Sequence, residues 1–414
     1  MKKEKSLKEI IIYCVAVVLM VLSFNNNIFR IGTMSTFKTF QMDSENLVRG
    51  AILRDKYNLN KSKYGLYTIV KNNPEDNEFE VKEYKSQVGI QGTVFAFLQN
   101  KLHFSIRELH LLCSITLSII LVGICYLLKE KYGTLFAMIF YIVFILSPWI
   151  VYFAKNLYWV EFTWFLPLLL CLLLEKTRKI KIYIPLIFMS VLLKCLCGYE
   201  YLSTILLTAI TFLIVDFIGK KGERKELFKM ILMVGLASIL AFVVAICIHA
   251  YLRGDGDIIH GARDIFTQDV MKRTMATSID QVNISEIKEK DLKYIKDSID
   301  VKYTYVITRY FNFNTDIIKG IRGEYFINIY IISLIALIVG IIIEDKIDYM
   351  LLYFIFLLGT LSWFILAKSH SYIHTHMNYV LWYFGFIQMS FFAIINTSIL
   401  IIKEIKKVWK KIKV

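Results

Sequence analysis

Apolar residues dominate this chain in runs long enough to cross a bilayer, and polar residues collect between the runs. A transmembrane helix needs about 20 predominantly apolar residues. Segments that meet this requirement lie at 9–25, 108–128, 133–153, 157–174, 180–196, 201–218, 229–252, 325–343, 349–367 and 377–402. The pattern therefore predicts an all-α, polytopic membrane protein with about ten transmembrane helices.

Basic residues in the short loops predict the topology. Lysine and arginine are concentrated at the N-terminus, at 129–131, 175–181, 219–229 and 344–348, and in the C-terminal tail. If the N-terminus is inside, all of these segments are cytoplasmic, as the positive-inside rule requires. No small-residue cleavage site follows the first apolar run, which indicates a retained signal anchor. We expect a multi-pass plasma-membrane protein with both termini in the cytoplasm.

Composition supports this class of protein. The chain has 57% hydrophobic residues and a mean hydropathy of +0.54, which is too apolar for a typical soluble protein. The net charge of +15 is accounted for by the cytoplasmic loops, so we expect no nucleic-acid partner. Seven cysteines lie in or beside apolar runs, without the spacing of a disulfide framework or a zinc site.

Three regions follow from this topology. Residues 1–252 form a seven-span module with a long first external loop at 26–107. Residues 253–324 form a second external loop, and residues 325–414 form a three-span region with a basic cytoplasmic tail.

The first external loop contains two predicted interfacial helices. Apolar residues recur at helical spacing after Met42, which places Asp43 and Glu45 at the depth of the lipid headgroups. Alternatively, Asp43 is only the N-cap of this helix. A polar tract follows that is consistent with a hairpin around Asn73 and Pro74, and the segment 86–104 is the second predicted helix.

Ionisable residues near the outer boundary are candidates for function, because charge at membrane depth is costly. Four residues qualify: Glu161, Lys194, Glu200 and Lys368. Two structural alternatives remain open. Lys194 and Glu200 would form an ion pair across a tight turn, and Lys155 and Lys368 would only extend toward the headgroups.

All seven histidines fall on the predicted outer side, and three of them cluster near the ninth span. His370 and His374 are four residues apart and His376 follows. This spacing can bind a transition metal, but the adjacent Lys368 favours an anion such as a phosphate. We therefore expect neither a metal nor another cofactor. Five arginines on the same side are further candidates for binding phosphate, and the sequence does not rank them: Arg49, Arg54, Arg253, Arg263 and Arg273.

The order of spans and loops resembles the integral-membrane C-type glycosyltransferases, the GT-C superfamily. Asp43-Ser44-Glu45 is similar to the acidic pair that these enzymes carry in the first external loop, although a strict Asp-x-Asp is absent. The resemblance implies transfer of a sugar from a polyprenyl-phosphate donor to a glycan, lipid or protein acceptor on the outer face of the membrane.

The predicted enzyme acts by a single, inverting displacement. Asp43 is the general base, with Glu45, Glu161 or Glu200 orienting hydroxyl groups. Cationic groups such as Lys368 and His374 stabilise the departing phosphate, and further contacts to the substrates come from Lys194, His370, His376, Arg49 and Arg253. The alternatives are a polymerase or ligase that uses diphosphate-linked oligosaccharides, a lipid or solute transporter, and a non-catalytic assembly scaffold.

Overall fold

The computed structural model describes residues 2–59, 63–73, 78–219, 223–276, 278–281, 289–344 and 346–412. The protein is mostly helical, with 79% helix and 4% strand. In the described part of the chain, eight helices are long and apolar enough to cross a membrane. The expected class, a helical multi-pass membrane protein, is therefore confirmed in outline.

The first half of the chain contains ten helices and one hairpin among its described residues. The helices are α1 (Lys2–Asn26), α2 (Met34–Thr39), α3 (Met42–Lys56), α4 (Ile90–Leu102), α5 (Ile106–Tyr132), α6 (Thr134–Leu146), α7 (Pro148–Phe153), α8 (Phe162–Thr177), α9 (Ile180–Cys197) and α10 (Leu202–Gly219). The strands β1 (Tyr67–Asn73) and β2 (Glu78–Glu83) pair antiparallel. The predicted hairpin is therefore present, and its turn at Pro74 lies outside the described residues.

The second half begins with the longest helix that the structure describes and includes an 11-residue π-helix. The α-helices are α11 (Arg224–Arg253), α12 (Ile258–Asp264), α13 (Glu289–Asp300), α14 (Tyr303–Arg309), α15 (Phe326–Glu344), α16 (Ile347–Leu366), α17 (Lys368–Ile373), α18 (Thr375–Asn378) and α19 (Phe386–Ile412). The π-helix is Ile265–Met275, and short 3₁₀ turns occupy Ile279–Gln281, Gly323–Tyr325 and Tyr379–Tyr383.

Two of the ten predicted spans form shorter helices. The segment 133–153 breaks at Ser147, whose hydroxyl caps α7 just before Pro148, so that α6 has only 13 residues. The segment 157–174 becomes α8, which has 16 residues. Since a helix rises about 1.5 Å per residue, neither helix alone matches a hydrocarbon core of about 30 Å. The count of ten crossings stays a prediction.

Ion pairs gather the predicted cytoplasmic segments at one end of the bundle. Lys129 contacts Glu9 at 3.1 Å, and Lys131 contacts Glu175 and Asp216 at 3.2 and 2.7 Å. Two further pairs, Lys176–Glu130 and Arg178–Glu223, tie the adjoining loops together. These contacts bring four of the predicted cytoplasmic segments together, while the topology as a whole and the assignment of this end to the cytoplasm stay predictions.

The first external loop folds onto the opposite end. Helices α3 and α4 are both present, and Val48, Ala51 and Ile52 form the buried face of α3. The side-chain amide of Asn100 on α4 donates to the carbonyl of Ile52 and to the carboxylate of Asp55. These contacts hold the C-terminal half of α3 against α4.

Candidate active site

A polar chamber of ≈ 270 Å³ lies at the end of the bundle opposite the ion-paired loops. Its walls come from six separate stretches of the chain. The lining residues are Gln41, Asp43, Ser44, Tyr84, Tyr158, Trp159, Glu200, Lys272, Arg273, His370, Ile373, His374, His376 and Met377. Acidic, basic and imidazole groups from distant positions thus converge on one space, as predicted for Asp43, Glu200 and the three clustered histidines.

The start of α3 presents Asp43 to this chamber. The helix begins at Met42, and Gln41 occupies the N-cap position in the left-handed region (φ 54°) without a capping side-chain hydrogen bond. The alternative that Asp43 is merely the N-cap is therefore wrong: Asp43 lies in the first turn, and its side chain is exposed. Its charge is favourable there because the amide groups of a helix start carry partial positive charge.

Asn156 fixes two of the chamber walls relative to each other. Its amide nitrogen donates to the carbonyl of Gln41 at 3.2 Å, immediately before α3. Its carbonyl oxygen accepts from the backbone amides of Tyr158 and Trp159 at 2.9 and 3.3 Å. The segment that carries Asp43 is therefore held against the aromatic wall by one buried side chain.

Two buried glutamines support the turn that carries Glu200. Gln87 and Gln91 both donate to the carbonyl of Cys197, at 2.7 and 2.9 Å, and Gln91 also donates to the carbonyl of Tyr158 at 3.0 Å. Gly198 leaves room for the acid: a Cβ atom there would lie 2.4 Å from Oε2 of Glu200. Glu200 is 8% exposed and lines the chamber.

The π-helix contributes the positive charge. Lys272 and Arg273 line the chamber, and Arg273 lies 3.5 Å from Asp269 one turn earlier on the same helix. Arg273 is half-buried, so its guanidinium group is only partly screened by water. Of the arginines considered, it is the one that reaches the chamber.

The three histidines lie side by side in the chamber lining. The ring centroids of His370 and His374 are 4.6 Å apart, and those of His374 and His376 are 6.0 Å apart. Burial, the neighbouring His374 and Arg273 hold the pKa of His370 well below its usual range. Burial, His376 and Arg273 lower the pKa of His374 to about 4, against the opposing effect of Asp43. The lowered pKa favours a neutral His374 at neutral pH, and the cationic role expected for this residue stays a prediction.

We expect His374 to titrate near pH 4 in the folded protein, as measured by NMR on ring-labelled histidine. Its pKa is lowered on folding, so the unfolded chain binds the extra proton between about pH 6.5 and 4. This group therefore makes the folded state less stable as the pH falls through that window. A His374 titration midpoint near 6.5 would contradict the buried, neutral imidazole.

An apolar groove of ≈ 460 Å³ adjoins the polar chamber. Glu200, Arg273 and His370 line both spaces. The groove runs between the membrane-spanning helices α10, α11 and α16, with lining residues that include Leu202, Leu206, Ile239, Phe242, Ile246 and Leu366. An amphiphile with a charged head and a long apolar tail has the shape and polarity of the two spaces together.

Known proteins give no further guidance to this site. No protein-family model, curated protein or solved structure matches the chain.

Glu45 and Arg49 do not line the polar chamber. Glu45 is 4% exposed and accepts from the Arg49 guanidinium at 2.8 Å, and its other oxygen is 3.0 Å from Nε2 of His110. Although burial opposes ionisation of Glu45, these two partners hold its pKa below the usual value. The acidic pair at 43 and 45 is thus split, with Asp43 in the chamber and Glu45 in a separate ion-paired cluster.

Lys194, Lys368 and Arg253 are also engaged elsewhere. Lys194 donates to the carbonyl of Gly198 at 2.6 Å, and no ion pair with Glu200 forms. Lys368 donates to the carbonyls of residues 299 and 301 at 2.6 and 2.9 Å, which ties α17 to the end of α13. Arg253 donates to the carbonyl of Lys85 and to Gln268. These cations anchor the surrounding structure.

Glu161 does not line the polar chamber, although Trp159, two residues earlier, does. It is fully buried between Trp159 and α8, and neither carboxyl oxygen finds a hydrogen-bond partner among the described residues. Sequence reasoning selected Glu161 because of its position in the membrane, but did not select Tyr84 or Lys272. Those two residues lie in the predicted external loops, where no sequence motif distinguishes them.

Within the described residues, no group of three or more His, Cys, Asp and Glu side chains is arranged to hold a metal ion. The carboxylates and imidazoles of the chamber instead face Lys272 and Arg273. This mixture of donors and cations suits a ligand that carries both hydroxyl groups and an anion.

Proposed function

We propose that this protein is a membrane glycosyltransferase that moves a sugar from a polyprenyl-phosphate donor to an acceptor outside the cytoplasm. The continuity of the polar chamber with the apolar groove at Glu200, Arg273 and His370 carries the proposal. The groove would take the lipid tail, and the chamber would take the phosphate and the sugar. The proposed location is the plasma membrane, with both termini cytoplasmic and a GT-C-like arrangement of spans.

The residues of the chamber suggest how the transfer proceeds. Asp43 removes the proton from the acceptor hydroxyl, whose oxygen attacks the anomeric carbon. The bond from that carbon to the phosphate oxygen breaks, and its electron pair remains on the phosphate. Arg273 and Lys272 stabilise the resulting negative charge. Because displacement occurs in one step from the opposite face, the configuration at the anomeric carbon inverts.

Glu200 and the neutral histidines have a different task. A carboxylate accepts hydrogen bonds from sugar hydroxyls, and a neutral imidazole both donates and accepts. Glu200 lies where the chamber meets the groove, so it is placed to contact the sugar nearest to the phosphate. Tyr158 and Trp159 form an aromatic wall in the same space.

The direct test is transfer by the purified full chain in lipid nanodiscs. Radiolabelled polyprenyl-phosphate sugars are supplied as donors with a membrane extract as the source of acceptor, and polyprenyl-diphosphate oligosaccharides are supplied in parallel. Label that moves from the monophosphate donor only in the presence of the protein supports the proposal. Transfer only from the diphosphate donor indicates the polymerase or ligase, and protein-dependent movement of unreacted donor across the membrane indicates a transporter.

Filling the groove is expected to weaken binding of a long-chain donor. Ile239 lies in the groove, so Ile239→Trp should raise KM for a long polyprenyl donor by about tenfold, which corresponds to about 1.4 kcal/mol. KM for a short-chain analogue should change little. Ile335→Trp is the matched control, since Ile335 is 57% exposed on α15 and away from the groove. Equal effects of both substitutions would contradict a tail-binding groove.

A further inference from the structure

A second polar cavity lies on the other side of the segment that begins α3. This rear cavity, of ≈ 190 Å³, is lined by Phe37, Lys38, Phe40, Met42, Glu45, His110, Tyr152, Lys155 and Asn156. Successive residues at the start of α3 face different cavities. Residues 41, 43 and 44 line the polar chamber, and residues 42 and 45 line the rear cavity. The bond from Asn156 to the carbonyl of Gln41 lies in the wall between them.

The rear cavity is lined by more lysine side chains than carboxylates. Glu45 supplies its carboxylate, and both oxygens already contact Arg49 and His110. Lys155 and Lys38 then remain as cations on the lining. The lining therefore carries two lysines and one carboxylate, and that carboxylate is already paired.

Lys155 has the most distinctive environment in this cavity. Its Nζ atom lies 3.7 Å from the centroid of the Phe37 ring, and it makes no ion pair with a carboxylate in the described part of the chain. Burial lowers the pKa of Lys155, with Glu45 acting in the opposite direction and Lys38 adding to the decrease. A half-buried ammonium group that faces a cavity and lacks an anion favours binding of one.

We propose that the rear cavity binds the anionic group of the acceptor, a phosphate or another oxyanion, through Lys155 and Lys38. That the bound anion belongs to the acceptor rests on the proposed function. The anion site itself is inferred from the positions of Lys155 and Lys38 alone. An acceptor anchored there would lie beside Met42, the residue immediately before Asp43. The two anionic substrates would then lie on different sides of the start of α3. Lys272 and Arg273 would bind the donor phosphate, and Lys38 and Lys155 would bind the acceptor anion.

Competition between phosphate and acylation of Lys155 tests this site without any turnover. The full chain in nanodiscs is treated with a limiting amount of an amine-acylating reagent at pH 7.5, and modification of each lysine is quantified by mass spectrometry. Phosphate at ten times its Kd should slow acylation of Lys155 about tenfold, because occupancy protects by one plus the ratio of ligand to Kd. Glycerol 1-phosphate should protect similarly, whereas glycerol and chloride at equal ionic strength should not.

Two comparisons make the result decisive. Lys82 on β2 is exposed and distant in the chain, so it is the internal control and should not be protected. Lys38→Met should reduce the protection of Lys155 by phosphate while leaving its acylation without phosphate measurable. Equal protection of Lys155 and Lys82 would overturn the proposal. That outcome is separate from failure of the glycosyltransferase proposal, which is decided by transfer from the lipid donor.

Discussion

Asp43→Asn is expected to reduce sugar transfer by roughly 10²–10⁴-fold while binding of the lipid donor is retained, because the substitution removes the general base and little volume. The structure motivates this change over others: Asp43 is the exposed carboxylate of the polar chamber, in the first turn of α3 and opposite His374 and His376. Transfer of radiolabel and equilibrium binding of the donor are measured on the same nanodisc preparation.

Asp55→Asn provides the matched control. Asp55 lies on the same helix, but its carboxylate accepts from Asn100 at 2.9 Å and lines a separate small cavity between α3 and α4. We expect normal transfer from this variant. Undiminished transfer by Asp43→Asn would remove Asp43 from the role of base and would make Glu200 the carboxylate to substitute next.

Arg273→Gln is expected to lower kcat by roughly 10²–10³-fold, since it removes a positive charge from the position where the departing phosphate becomes more negative. Arg273→Lys should recover only part of the loss, because an ammonium group keeps the charge but lacks the planar pair of donors. Steady-state kcat and KM for the donor are measured for both variants, after size-exclusion chromatography shows that they are monodisperse.

The control for this series is Arg263→Gln. Arg263 is exposed on α12, just before the π-helix, and does not line the polar chamber. Its replacement changes the net charge equally and should leave kcat unchanged. If both substitutions have the same effect, Arg273 acts through the overall positive charge of the external loop and does not contact the phosphate directly.

Hydrophobic patterning was sufficient to predict a helical bundle with several apolar helices of membrane-spanning length, because bilayer thickness constrains the length of such helices. It was insufficient where helices are interrupted. Ser147 and Pro148 divide one apolar run into two helices, and the average hydropathy of the run does not reveal this break. A run of apolar residues specifies burial, whereas the bounds of a helix depend on individual capping residues.

The sequence predicted some of the residues that line the polar chamber, but it predicted fewer of their contacts. Asp43, Glu200 and the clustered histidines lie together as expected, because each follows or precedes an apolar segment at the same end. The cations were misassigned. Lys368 and Lys194 bond to nearby carbonyls, and Arg273 could not be distinguished from the other arginines, since a long loop gives no register relative to the membrane.

The protonation of the histidines illustrates the limit of sequence reasoning in physical terms. An imidazole in water has a pKa near 6.5, so a cluster beside lysine suggests a cationic, anion-binding surface. Burial removes the water that stabilises the charge, and Arg273 adds repulsion, which lowers the pKa of His374 to about 4. Neither burial nor the approach of Arg273 can be inferred from the spacing of the three histidines.

The buried amides of Gln87 and Gln91 make the wall formed by Tyr158 and Glu200 more rigid than the wall formed by the π-helix. For the Glu200 turn to shift relative to Tyr158, long-range hydrogen bonds to the carbonyls of residues 158 and 197 must break without water to replace them. Arg273, in contrast, is paired with Asp269 on its own helix, and Arg253 joins that helix to the first external loop only through partly exposed bonds to Gln268 and to the carbonyl of Lys85. Any adjustment that admits a bulky lipid headgroup is therefore expected to come from displacement of the π-helix, against a stationary face formed by the first external loop.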